Sequence, residues 1–185
     1  MAKYSGWKKR YSYLDDYKPG MDGKYVYYGR HYIFQGTGSE LKKYKWTLGL
    51  ADFVFLALFI VSGIMDAGAI WRSVYVIIPF MVEAIAIFLF IWKTLTMIVE
   101  KNPIKAYLYK KSVPWFRPTM MTLVIACLIS ICMTILCMLL TQEGIKVTGC
   151  ILYMLLKLLS AAAAFFLFRH LAGCKWELDP SEEMQ

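Results

Sequence analysis

The sequence predicts an all-α integral membrane protein, with four transmembrane helices arranged as two antiparallel hairpins. Three observations carry that expectation. Of 185 residues, 59% are hydrophobic and 18% charged, more apolar than one soluble core of this length absorbs. Residues 46–65, 74–98, 119–140 and 147–168 each supply the about 20 mostly apolar residues that cross a hydrocarbon layer of roughly 30 Å. The connections after the first and third stretches, DAGAIWR and TQEGIKVTG, are short and glycine-containing, so each flanking pair of helices is expected to fold back tightly.

Residues 1–45 form a basic, Tyr-rich juxtamembrane segment. They hold nine of the 13 tyrosines and ten Lys or Arg against four acids. No apolar run there resembles the core of a secretory signal, which places the amino terminus in the cytoplasm. The turn signals PG and DG bracket short aromatic runs, and YVYYGRHYIF at residues 25–34 predicts a small hairpin about Gly29. Two roles fit this composition: an interfacial collar of Tyr, Trp, Lys and Arg against anionic headgroups, or a docking surface for a cytoplasmic protein.

The bundle then occupies residues 46–170. Its two hairpins are joined by the basic connection EKNPIKAYLYKKSVPWFRP, in which Pro103, Pro114 and Pro118 are expected to interrupt helix at both ends. Its middle, IKAYLYKK, reads as a short interfacial helix. An acidic tail, residues 171–185, closes the chain and includes WELDPSEEMQ.

Charge sets the orientation. Seventeen Lys or Arg fall before residue 46, between residues 100 and 118, or after residue 168, whereas Arg72 and Lys146 alone flank the short turns. That asymmetry predicts a multi-pass protein of the cell membrane with both termini and the central connection cytoplasmic. The net charge of +8 is thereby accounted for by topology and anionic lipid, without nucleic acid.

A charge at the bilayer centre costs about 2.5–3.5 kcal/mol on the insertion scale and so requires a partner or water. Glu83 lies about ten residues below the outer end of the second span, roughly 15 Å at the helical rise. Lys157 lies equally far down the fourth. Equal depth predicts an intramembrane pair, Glu83 with Lys157, in which each charge offsets the desolvation of the other. Alternatives are neutral side chains or a hydrated cavity serving transport or proton relay. Tyr153, four residues before Lys157, shares its face with Cys150, Ala161 and Ala164, and is expected to hydrogen-bond across the site. Asp52 and Lys93 form a second possible pair nearer the cytoplasm, although Lys93 can instead snorkel to headgroups. On the first span Gly49, Asp52, Gly63 and Asp66 are expected to face inward, and on the third Cys127, Ser130, Thr134 and Thr141. Pro79, one turn before Glu83, frees a carbonyl beside the charge.

Catalytic patterns are missing. The spans hold no GxSx or HExxH motif and one carboxylate at mid-depth, and no glycine-rich loop is shaped for phosphate. The five cysteines lack metal or disulfide spacing, and both histidines, His31 and His170, lie outside the spans. The expectation is a non-enzymatic chain without metal or cofactor. It would serve as an accessory or structural subunit of a larger membrane assembly for transport or secretion, with protein partners or further copies of itself. The alternative is a small oligomeric transporter or channel that uses Glu83 and Lys157.

Overall fold

Four helices dominate the computed structural model, which describes residues 16–19, 24–100, 102–140, 144–173 and 176–179. They are α1 (Gly38–Ile64), α2 (Val74–Val99), α3 (Ala106–Leu140) and α4 (Val147–Ala172). All four are long and apolar enough to cross a membrane. α3 packs along both α2 and α4, and α1 closes the ring by touching the same two neighbours. Large side chains such as Phe53, Phe88, Leu139 and Phe166 point outward and are exposed, a surface that lipid solvates and water does not.

α1 begins eight residues before the predicted span. Thr37 and Glu40 build a capping box: the Glu40 N–H donates to Thr37 Oγ1 at 3.4 Å, and the Thr37 N–H donates to Glu40 Oε2 at 2.9 Å. Two otherwise orphaned donors of the first turn are satisfied, so the helix starts in the polar segment. α3 also departs from expectation, because Pro114 and Pro118 lie inside one continuous helix. The prolines remove the two backbone donors that would reach Lys110 O and Pro114 O, and the next carbonyl along each interrupted turn gains a side-chain donor. Lys93 Nζ donates to Lys111 O at 2.8 Å, and Thr119 Oγ1 to Trp115 O at 2.7 Å. Side-chain donors of this kind let membrane helices run through proline.

At one end of the bundle, three segments remote in sequence meet. β3 (His31–Phe34) lies between β4 (Ile104–Lys105) and β5 (Trp176–Leu178), antiparallel to both. A separate ladder joins β1 (Tyr17–Pro19) to β2 (Tyr25–Tyr27). The hairpin expected about Gly29 is therefore absent, since β2 pairs backward with β1 and β3 pairs with the connection and the tail. Tertiary pairing decides the register here: Phe34 packs edge-on to Trp176 at 5.1 Å, and Tyr32 stacks on Tyr109 at 3.9 Å.

At the other end, the two short turns touch. Gly68 bridges to Ile145, Ala69 N–H donates to Gly144 O at 2.9 Å, and Lys146 pairs with Asp66. Gly68 has φ +69°, and a Cβ there would collide with the Gly144 carbonyl. Trp71 seals this end by donating its indole N–H to Met65 O at 2.8 Å.

The interior has two apolar halves. Leu48, Phe55, Phe90, Phe116, Met120 and Leu123 fill the half nearer the sheet, while Ala67, Ile70, Val76, Cys150 and Tyr153 fill the half nearer the turns. On every helix the change from one half to the other passes a polar residue: Ser62, Glu83, Ser130 and Lys157.

Candidate functional site

That polar layer is the candidate site. On α2 the residues Val76, Pro79, Glu83, Ala86, Phe90, Thr94 and Met97 are buried, a spacing of three or four that aims one helical face inward. On α4 the same spacing buries Cys150, Tyr153, Lys157, Ala161 and Ala164. Small residues below Lys157 allow the helices to approach closely enough for the charged side chains to meet.

Glu83 and Lys157 are both 0% exposed, and Lys157 Nζ lies 2.5 Å from Glu83 Oε2. A second N–H of the ammonium donates to Ser62 Oγ at 3.0 Å, and the Ser62 hydroxyl in turn donates to Phe59 O at 2.8 Å. The ring centroids of Phe80, Tyr153 and Phe59 lie 4.7, 5.1 and 5.6 Å from the same nitrogen. An anion, a hydroxyl and three π faces therefore replace water around one cation. The carboxylate is less completely satisfied, because Glu83 Oε1 is buried without a hydrogen-bond partner; the Cys127 thiol neighbours the group.

Tyr153 is in the layer, and its hydroxyl reaches across it to α3 and not to the charged pair. It shares a hydrogen bond of 3.0 Å with Ser130 Oγ, and Thr134 Oγ1 donates to Ser130 O at 2.8 Å. Its ring serves Lys157, and its hydroxyl ties α4 to α3. Cys127, Ser130 and Thr134 are buried as a stripe on α3, while Thr141 lies outside the described residues.

Other expectations fail on geometry. Asp52 and Lys93 are not brought together: Lys93 turns to the Lys111 carbonyl across α3, and Asp52 sits beside Thr94. On α1 the inward residues include Leu41, Leu48, Phe55 and Ser62, with Leu48 and Ser62 one step before the expected Gly49 and Gly63. One residue turns a helix by about 100°, enough to leave Gly63 exposed, while Asp66 lies past the end of α1 in the exposed turn. That rotation hides Ser62, although it continues the seven-residue spacing of Leu48 and Phe55, a readable signal. Trp71 and Phe80 complete the aromatic wall, their centroids 5.2 Å apart.

The arrangement holds a carboxyl and an amine in direct contact, neither with surface exposed to solvent. Comparison with known proteins finds no matching family model, no matching curated protein and no matching solved structure.

Proposed function

We propose that the chain is a non-enzymatic, multi-pass protein of the cell membrane. It is built as two antiparallel helical hairpins with both termini cytoplasmic, and acts as an accessory or structural subunit of a larger membrane assembly for transport or secretion. The complete burial of Glu83 and Lys157 carries this reading. A translocation route requires its ionisable groups to meet water or cargo, whereas a sealed pair serves to fix how α2 and α4 pack. Orientation rests on the excess of Lys and Arg at the sheet end, as the positive-inside rule requires. The outward apolar faces and the aromatic sheet end, with Tyr25 and Tyr28 exposed, offer surfaces for lipid and for partner proteins or further copies. Purification of the tagged full-length chain in mild detergent is expected to recover a stoichiometric protein partner; a lone chain under those conditions would count against the subunit role.

One observation favours a second reading. The unpartnered Glu83 Oε1 is what a site awaiting a proton or a small ion would present, which suits a small oligomeric transporter or channel. That reading requires Glu83→Gln to abolish flux in proteoliposomes without unfolding the protein, and unchanged flux would remove it.

A further inference from the structure

Gly49 floors a groove on the outside of the bundle, not its interior. The groove has a volume of about 820 Å³ and lies between α1 and the end of α2. Its apolar part is formed by Gly49, Leu50, Phe53 and Ile98, and its rim by Lys42, Lys45 and Trp46. Trp46 and Phe53 stand 78% and 71% exposed on α1, so their rings flank the opening. A side chain at position 49 would meet only Ile98 Cδ1, at 3.6 Å. The absent side chain is what keeps the slot open.

The rim is cationic. Lys45 Nζ donates to Ile98 O at 3.2 Å and to Glu100 O, which leaves one of its three N–H groups free for a further acceptor. The Glu100 carboxylate also faces Lys45 and offsets part of its charge. Lys42, exposed one turn earlier in the helix, then supplies the second cation. Positive charge and a Trp at headgroup level above a slot at acyl depth match an anionic amphiphile whose tail runs along the helix. From Lys42 to Phe53 the helix rises about 16 Å, the reach of roughly half a bilayer leaflet pair.

We infer that this groove is a specific site for one anionic glycerophospholipid, with an acyl chain on Gly49 between Trp46 and Phe53 and the phosphate at Lys42 and Lys45. It goes beyond general attraction of basic residues to headgroups, because it commits to a single place and a single molecule. It rests on the chain residing in a bilayer and is independent of the subunit role proposed above.

The test uses the purified full-length chain in mild detergent, mixed with equal phosphatidylglycerol and phosphatidylcholine and examined by native mass spectrometry. One phosphatidylglycerol is expected to remain bound in preference to phosphatidylcholine. Gly49→Leu should abolish that retention, and Lys42→Gln should reduce the preference by about fivefold, the weight of one cation beside an anionic lipid. Lys146→Gln, at the opposite end, should leave it unchanged. Equal retention of both lipids, or retention unaffected by Gly49→Leu and Lys42→Gln, would overturn the site. If Gly49→Leu fails to fold, Lys42→Gln alone decides. Replacing Phe53 with a photocrosslinking residue in cells separates occupants: phospholipid adducts support the assignment, and adducts to protein contradict it.

Discussion

Two carboxylate–lysine pairs link the same halves of this chain, and they differ chiefly in their surroundings. Asp66 and Lys146 join the two short turns with side chains 67% and 62% exposed, whereas Glu83 and Lys157 join α2 to α4 at 1% each. Chemistry is held nearly constant while the solvent changes from water to protein and lipid. At the exposed pair, water already solvates both ions, so their attraction is screened and contributes little. At the buried pair each ion has lost its hydration, and the partner is what makes the other tolerable. The exposed pair is expected to be dispensable and the buried pair to fix packing.

Breaking the buried pair is expected to give the largest effect. Glu83→Leu or Lys157→Met alone leaves an uncompensated charge and should destabilise the protein by about 3–5 kcal/mol, measured as reversible unfolding in bicelles. Next is the close approach of α4 to the turn after α1. A Cβ at Gly149 would collide with the Asp66 carbonyl, so Gly149→Ala should push the two apart and cost about 1–3 kcal/mol. Below that, Tyr153→Phe removes the hydrogen bond to Ser130 but keeps the ring against Lys157, and should cost about 0.6 kcal/mol. A much larger loss would mean that the hydroxyl, and not the ring, supports the ion pair.

The smallest effect belongs to the exposed pair. The hydrogen bond from Lys146 holds the Asp66 carboxyl below its ordinary range. Its contribution is therefore present above the unfolded value near about 4 and lost as pH falls through the folded one. Asp66→Asn should remove that slight acid dependence and otherwise leave the melting temperature where it was. At the sheet end the sign reverses: burial, helped by the Asp16 charge, pushes the Tyr27 phenol up to about 12. The folded form keeps its proton, so the sheet end should loosen as pH rises above about 10, where an unfolded tyrosine ionises. Ultraviolet absorbance of tyrosinate in the wild type and in Tyr27→Phe checks this.

How far the sequence reveals this arrangement depends on the physics behind each feature. Length and apolarity locate four spans because lipid imposes a minimum on both, and depth counting sets Glu83 and Lys157 level because the helical rise is constant. Rotation is harder to read. Gly49, Gly63 and Asp66 look like one inward stripe with the half-buried Asp52 until Leu48, Phe55 and Ser62 are seen to occupy the interior, since small or polar residues also serve at grooves and turns. The capping box at Thr37 was present in TGSE and gives the true start of α1. The sheet of β3, β4 and β5 had no local signal, because its three strands are short and separated by whole helices. Pro114 and Pro118 are hard to read for a related reason: side-chain donors from Lys93 and Thr119 support the carbonyls beside the interrupted turns, and one of them lies on another helix.

The central claim is that Glu83 and Lys157 act as one unit within the bundle. A double-mutant cycle in bicelles measures it directly, using Glu83→Leu, Lys157→Met and the two combined. The expected result is that the double variant is more stable than either single one, which requires a coupling larger than one single loss, about 3–5 kcal/mol or more. Losses that simply add, leaving the double variant the least stable of the three, would contradict the account.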